Sequence, residues 1–515
     1  MSNNRSKRIA KNTIYLYIRM LFIMAVTFFT SRVILDKLGV VDFGIQNVVG
    51  GVATLFVFFR SSLSNATQRY LSVALGKKDL EYAQQIVQQH HTIYMLIGMV
   101  SAVLAELFGM WLVSKKLVIP PDRIVAAQWV LQFAIIGFVV NICNVTPHAI
   151  MVAHENFRIY SYIGVVEAVA KLGIAYVISV VSFDRLITYS LLLLLVNLGV
   201  LMFNAVYTKI RYEECSYRPL WIPALIKDMF GFIGWNVFGT AVYTLNDAGI
   251  NLLLNMFFGP VVNAARGVAF QVSNAVNQFG QNFFTAVRPQ IFKSYTENNK
   301  DLLLSLFYRS SKYTFFLLWL IILPVMLKVD TILGLWLREV PHETNVFLIW
   351  VLAYSLVNAL VEPIWAMMLA VGKLKKYSII GNSVFIMIFP ISYFFLKAGA
   401  TAVSVFTIAF AVRFVYVFVV LFIVSQFIKF SVQDYLRKVF LPIIVVICLA
   451  SLCSRFICGY FPNTFIGLLF TVIITLLVNI LFISLAGMTT NERASFILIL
   501  KSNKYGKAIF NKKAK

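Results

Sequence analysis

The sequence predicts an all-α polytopic membrane protein of about fourteen transmembrane helices, arranged as two six-helix halves plus two further helices. Three observations carry this reading. Of 515 residues, 60% are hydrophobic and 13% charged, against roughly 45–50% and about 25% in a soluble domain, and mean hydropathy is +0.82. The apolar residues fall in runs close to the roughly 20 that cross a bilayer as helix. The order of turns and helices recurs at an offset of 220 residues, Gly39 against Gly259. A soluble enzyme is excluded.

Charges, Pro and Gly bound the runs in order. Segment 1, approximately 12–35, follows the basic stretch Arg5 to Lys11; it is too long for the apolar core of a signal peptide and holds Arg19 and Arg32, so it reads as a retained helix. Segment 2, 43–59, opens after the turn Leu38-Gly39-Val40-Val41-Asp42, and segments 3 to 6 cover 91–113, 124–150, 158–181 and 186–208. Segments 7 and 8, 229–256 and 261–287, flank Phe258-Gly259. Segments 9 to 14 cover 313–327, 345–371, 377–396, 400–424, 439–458 and 464–487. The domains follow: an N-terminal six-helix lobe at 1–228, a C-terminal one at 229–436, two additional helices at 437–487 and a basic tail at 488–515. Lys77-Lys78-Asp79-Leu80 leads into segment 3 much as Asn299-Lys300-Asp301-Leu302 leads into segment 9, with the offset drifting to 222. Six is even, so both halves share one orientation, a parallel repeat.

Forty-five Lys and Arg against 21 Asp and Glu give a net charge of +24. With the N-terminus inside, roughly two-thirds of the basic residues lie on the cytoplasmic side, so the charge is mostly a topology signal placing both termini there, and no nucleic-acid partner is implied. The five cysteines form no CxxC pair, so neither a metal site nor a disulfide framework is expected. The outer loops are short; the longest, about 328–344, leaves no room for a catalytic domain, which argues against membrane glycosyltransferases and polymerases. The inner loops at about 60–90 and 288–312 read as amphipathic surface helices. Neither holds a phosphate loop, so no ATPase is expected.

Segment 8 carries the chemistry. At 100° per residue, Asn263, Arg266, Gln271, Asn277, Gln278, Gln281, Asn282 and Arg288 lie within about 80° of Asn274, opposite a stripe of Val and Phe. Such a face cannot turn to lipid, where unpaired polar groups cost several kcal/mol each, so it lines water or a polar partner. Amides suit sugar hydroxyls and guanidinium suits phosphate oxygens. Segment 7 adds Asn236, Asn246, Asp247 and Asn251. Asp247, about 14 Å from the outer end, is either an ion-coupling carboxylate or a static partner for Arg266. Arg19, about 10 Å from the cytoplasmic end, either meets an incoming head group or snorkels. Arg32 lies about 220° round the same helix and ranks below it. Glu167 and Lys171 read as a self-neutralising i, i+4 pair. Arg413 faces the interior, bound to ligand or to a structural partner such as Glu362. Asn141, Asn144 and His148 share a face of segment 4.

Length, fourteen segments, the six-plus-six repeat, the turn Leu38-Gly39-Val40-Val41-Asp42-Phe43-Gly44 and the loop start Ala66-Thr67-Gln68-Arg69 resemble the multidrug/oligosaccharidyl-lipid/polysaccharide (MOP) superfamily, and within it the Wzx-type polysaccharide repeat-unit flippases. The resemblance implies two bundles in a V, a cationic cavity to which Arg19, Arg266 and Arg288 would contribute, and a multi-pass protein of the bacterial inner membrane. It implies transfer of an undecaprenyl-diphosphate-linked oligosaccharide from inner to outer leaflet for O-antigen, capsule or exopolysaccharide synthesis, coupled to H+ or Na+. Membrane lipids and the pathway's polymerase and glycosyltransferases would be partners; no cofactor, metal or enzymatic activity is implied. Two rivals share the fold: a multidrug exporter, for which an acidic pocket would be expected where segment 1 has two arginines, and a flippase for the peptidoglycan lipid precursor.

Overall fold

The structure, a computed structural model, describes residues 2–494 apart from 53–62, 65, 66, 69, 72, 73, 76, 155, 216, 217, 372, 373 and 491. Among the described residues all regular structure is helical. In chain order the helices are α1 (Ser2–Val52), α2 (Leu80–Lys115), α3 (Ile124–Cys143), α4 (Val145–Ala153), α5 (Phe157–Val180), α6 (Arg185–Arg211), α7 (Pro223–Phe258), α8 (Pro260–Thr296) and α9 (Lys300–Leu327). There follow α10 (Val329–Trp336), α11 (Thr344–Ala359), α12 (Val361–Val371), α13 (Leu374–Ile386), α14 (Ile388–Lys397), α15 (Val403–Ile428), α16 (Val432–Tyr435), α17 (Leu441–Cys458) and α18 (Phe465–Phe482). Ten helical stretches among the described residues are long and apolar enough to cross a membrane; α1, α7 and α8 are longer than one span, and fourteen crossings are compatible with these helices. The chain is a multi-pass membrane protein.

Prolines decide where several spans break. The breaks at Asn144, Leu360 and Met387 each lie three residues before a proline, Pro147, Pro363 and Pro390. A proline ring removes one helical hydrogen bond and collides with the carbonyl of the preceding turn. The chain answers with a tightened turn: Leu360 N donates to Val357 O at 3.2 Å and Met387 N to Val384 O at 3.2 Å. At helix starts, Asp79 accepts from Tyr82 N, Asp184 from Leu186 N and Ile187 N, and Asn299 from Leu302 N, satisfying amides that have no carbonyl of their own.

The internal repeat is visible in the backbone. Gly39, which kinks α1, has φ 79° and ψ 168°; Gly259, between α7 and α8, has φ 80° and ψ −175°. Side chains rarely adopt such φ values, which is why glycine stands at both turns. The turns before α2 and α9 match as well. Lys78 and Asn298 have φ 58° and 53°. Asp79 N donates to Ala74 O and Lys78 N to Leu75 O, as Asn299 N does to Ser294 O and Asn298 N to Tyr295 O. All these pairs keep the offset of 220, so the drift to 222 in the sequence pairing is corrected: Asp79 corresponds to Asn299, each capping the helix that follows. The loop at 288–312 is likewise corrected, since α8 runs unbroken to Thr296 and α9 starts at Lys300. In the loop at 60–90, buried Leu63, Thr67, Leu71 and Ala74 mark one helical face.

The chain divides into two compact units, one of residues 1–272, 336–350 and 378–412, the other of 273–335, 351–377 and 413–515. In the first, α1 packs on α5, α2 on α3, α3 and α5 on α6, and α7 on α1 and α14. Its core centres on Ile45, Val48, Val49 and Val52 of α1 against Leu112, Val130 and Leu131. In the second, α9 meets α12, α17 and α18. α1 and α8 approach closely: a Cβ on Gly44 would stand 1.9 Å from Pro260 O, and one on Gly267 would stand 2.9 Å from Asn47 Oδ1.

Gly44→Ala should therefore lower the thermal unfolding midpoint of the detergent-solubilised protein by several degrees. Gly173→Ala, at a helical site with nothing within 4 Å of the new methyl, should leave it level or raise stability by up to about 1 kcal/mol. Equal midpoints for the two variants would refute the close contact.

Candidate functional site

The polar face of α8 divides into a half bonded to α1 and α7 and a more exposed half. Near the start of α8, Asn263 is fully buried and its Nδ2 donates to Asn251 O at 2.7 Å and Oδ1 at 2.8 Å. Asn251 Nδ2 donates to Asn47 O at 3.1 Å and Asn47 Nδ2 to Phe43 O at 2.8 Å. One turn on, Arg266 Nη2 donates to Asp247 Oδ1 at 2.5 Å and Asp247 O at 3.2 Å, with its guanidinium 4.1 Å from the centroid of Phe270. Gln271 Nε2 donates to Ser31 Oγ at 2.6 Å and Thr27 O at 3.2 Å. These bonds join α1, α7 and α8 in a ladder.

Further along, Asn277 Nδ2 donates to Ser273 Oγ and Ser355 Oγ at 3.2 and 3.1 Å. Asn274, Gln278 and Gln281 are exposed and Asn282 is half-buried. The i, i+4, i+7 spacing of Asn274, Gln278 and Gln281 sets three exposed amides along about 10 Å of one helix face. The side chains of Arg19, Arg288 and Asn236 lie outside the described residues. The helix carrying Arg19 is unbroken through Arg32, so the two arginines stand on different faces, and Arg32 is half-buried. Lys171 Nζ contacts Glu167 Oε1 at 2.6 Å. Arg413, 8% exposed, donates through Nη2 to Asn358 Oδ1 and lies 4.6 Å from the ring centroid of Tyr416. Asn144 Oδ1 accepts from Asn204 Nδ2 at 2.8 Å, Asn141 Nδ2 donates to Gly137 O at 2.9 Å, and His148 packs edge-on to Tyr160.

The sequence reading missed a group of charges at the end where residues 36–42, 116–123 and 182–185 meet. Arg123 donates through Nε and Nη2 to both oxygens of Asp42, at 2.8 and 2.5 Å, and through Nη1 to Asp184 at 2.5 Å. Arg338 and Lys37 approach Asp36 at 3.1 and 3.4 Å, and Trp336 Nε1 donates to Phe28 O at 2.7 Å. Burial alone would push the Asp184 carboxyl up, but the Arg123 bond and the amides of Ile187 and Leu186 outweigh it, and its pKa lies below the usual value. Asp42 goes the other way: burial dominates, reinforced by the Asp184 and Asp122 charges, and its pKa is raised despite Arg123. For Asp36, burial is outweighed by Lys37 and Arg338, and its pKa is lowered. In the sequence these acids stand in turns between apolar segments, where nothing pairs Arg123 with Asp42, 81 positions away. Buried Lys312 and its partner Glu492, at 2.8 Å, were missed too, because they lie far apart in the chain.

Comparison with known proteins agrees with this architecture. Residues 17–177 match the MatE family model. No curated protein sequence matches the chain. Among solved structures, the lipid II flippase MurJ in an inward closed conformation shares the fold with a TM-score of 0.69 at 13% identity, over 92% of this chain and 98% of its own. An inward-facing multidrug resistance MATE family transporter of the MOP superfamily gives 0.63 at 14%, over 80% and 94%. A MOP superfamily transporter from Pyrococcus furiosus, described as having a binding pocket of reverse polarity, gives 0.60 at 13%, over 81% and 96%. The chain thus has the fold of MOP-superfamily transporters and flippases.

Two predictions follow from these contacts. Arg266 is buried whereas the Asp247 side chain is 45% exposed, so Asp247→Ala strands a buried cation. It should cost about 2 kcal/mol, less than the roughly 3–5 of a fully buried pair; Arg266→Met with Asp247→Leu should recover most of that in a double-mutant unfolding cycle, and strict additivity would disprove the pairing. A lowered carboxyl pKa contributes stability above the unfolded value of about 3.9, lost as pH falls through the lowered one. Asp184→Asn should therefore melt below the native chain at pH 7, with the gap closing in strong acid. A gap that widens in acid would show the sign to be wrong.

Proposed function

We propose that the chain is a flippase that carries polyprenyl-diphosphate-linked oligosaccharide repeat units from the inner to the outer leaflet of a bacterial inner membrane, with both termini cytoplasmic, in the service of a surface polysaccharide. The carrying observation is the run of exposed amides, Asn274, Gln278 and Gln281, on a helix of a transporter fold. Amides turned to hydrocarbon would each cost several kcal/mol, so this face is suited to water and to a hydroxyl-rich ligand. A charged, hydroxylated head group does not cross hydrocarbon unaided, whereas its polyprenyl tail is soluble there. The coverage of 92% with a lipid II flippase, against 80% with a multidrug transporter, supports the flippase reading. The match of residues 17–177 to MatE favours multidrug export as the second reading.

In this mechanism the exposed amides hold the sugar, with Gln271 and Asn277 orienting neighbouring turns, and Arg19, Arg266 and Arg288 supply charge for the diphosphate. Arg266 is held by Asp247 at 2.5 Å. A proton or Na+ arriving at Asp247 neutralises the carboxylate and frees the guanidinium for phosphate oxygens, where it forms a two-pronged contact. Ion binding and head-group binding are thereby linked through one salt bridge. Glu167, Lys171, Arg32 and Arg413 rank below these residues as contacts for the substrate.

The test is the sidedness of lipid-linked oligosaccharide in membrane vesicles, probed by an impermeant sugar-modifying enzyme. Protein-dependent appearance on the outer leaflet is expected. Asn274→Leu should reduce it about tenfold with normal insertion, and Asp247→Asn should abolish its dependence on the ion gradient. Unchanged sidedness together with altered resistance to cationic dyes would replace the flippase by drug export.

A further inference from the structure

A pocket of about 420 Å³ lies within the first compact unit, between α1, α3 and α6, and its volume falls in the roughly 300–1,000 Å³ range of small-molecule sites. Gln46 on α1, Asn197 on α6 and Asn141 on α3 line it. By the helical rise they stand about 10, 20 and 27 Å inward of the turns at Gly39, Asp184 and Arg123, depths that fall within a bilayer's hydrocarbon core. Gln46 Oε1 accepts from Ser190 Oγ at 2.7 Å, and Asn141 Nδ2 donates to Gly137 O at 2.9 Å. What remains is a donor on Gln46 Nε2, an acceptor on Asn141 Oδ1, and both on the Asn197 amide. Among the described residues none of these groups is hydrogen-bonded within the chain. Phe133 supplies an aromatic wall, and a Cβ on Gly137 would stand 3.7 Å from Asn197 Nδ2, so glycine there leaves the Asn197 amide open to the pocket.

We infer that this pocket binds an uncharged sugar of the lipid-linked repeat unit, a step that rests on the substrate class proposed above. The pattern of its polar groups selects the occupant. A metal or alkali cation is held by oxygens, and an anion by N–H donors or positive charge. Neither matches a set in which donors and acceptors are mixed. No charged side chain lines the pocket among the described residues, so a diphosphate or an acidic sugar would lose its water there without a counter-charge. A sugar hydroxyl donates and accepts at once and meets an amide with both, while the Phe133 ring offers a flat apolar wall to the C–H face of a pyranose. The use of such a site follows from solvation. Hydroxyls give up water when a sugar enters the depth of the membrane, and these amides replace the bonds it loses.

The experiment uses the full-length protein in lipid nanodiscs and undecaprenyl-diphospho-N-acetylglucosamine with a diazirine on its N-acyl group. Labelling is expected on the α3 and α6 peptides that flank the pocket, resolved from α8 peptides by mass spectrometry. The unmodified sugar lipid and millimolar methyl N-acetylglucosaminide should compete, and undecaprenyl phosphate and methyl glucuronide should not. Asn197→Leu and, separately, Gln46→Leu should each lower this labelling about fivefold, the worth of one hydrogen bond, with α8 labelling retained. Gly173→Ala should leave it unchanged. Equal competition by undecaprenyl phosphate, displacement of the label by Na+ in place of choline, or labelling indifferent to both pocket variants overturns the inference, as does label confined to α8. Its failure is distinguishable from that of the flippase reading. Outer-leaflet transport with label confined to α8 removes the pocket alone, and pocket labelling without transport leaves a sugar site on a protein that is not a flippase.

Discussion

A polar group turned to hydrocarbon has no water to bond and costs several kcal/mol, so the place of each amide and charge in this chain is decided by whether a polar partner lies within reach. Along α8 that constraint separates two populations of side chains with the same chemistry. Asn263, Arg266 and Gln271 have found Asn251, Asp247 and Ser31 and hold three helices together. Asn274 and Gln278, one and two turns on, are left open. A row of exposed amides is tolerated only where water or a polar ligand reaches it, which is why the proposed ligand contacts include it beside the Asp247–Arg266 rung.

The same constraint shapes the backbone. Three mid-span breaks precede prolines, and those at Leu360 and Met387 are closed by a short turn so that few amides lose their partners. The repeat supplies a second kind of order. Asn47 and Gly267 are equivalent positions in the two halves, and a Cβ on Gly267 would meet the Asn47 side chain at 2.9 Å. Equivalent positions in mutual contact mark where a pseudo-twofold axis passes between α1 and α8. Only a glycine on one side leaves room for the asparagine on the other, so the symmetry is broken in sequence where the two helices come closest.

Fold class was legible because hydrophobic run length is a property of the chain itself, and the glycine turns at 39 and 259 were legible because positive φ selects residue type. The repeat before α2 and α9 pairs two residues out of register in the sequence because the Lys-Asp-Leu similarity competes with capping, and it is the cap that fixes the register: Asp79 and Asn299 both accept from the amide three residues on. The polar face of α8 was legible from its angular spacing. Which of its members were already bonded was not, since Gln271 reaches Ser31 across 240 positions and Arg123 reaches Asp42 across 81. Sequence periodicity describes one helix at a time, and ion pairs between turns are decided by how helices are placed.

The composition of the ladder bears on how such a fold can alternate. Apart from one salt bridge it is made of amide and hydroxyl bonds, and interhelical bonds of that kind contribute only about 0.6 kcal/mol each in a membrane, because the separated partners find others. Opening those rungs where water can enter is therefore cheap. The Asp247–Arg266 rung differs, because a buried guanidinium deprived of its carboxylate has no neutral state to fall back on. A conformational change that separates α7 from α8 at this level needs an anion to take the place of Asp247 beside the buried guanidinium. In the flippase proposed above, a diphosphate head group would be that anion and a coupling ion at Asp247 would release the guanidinium to it.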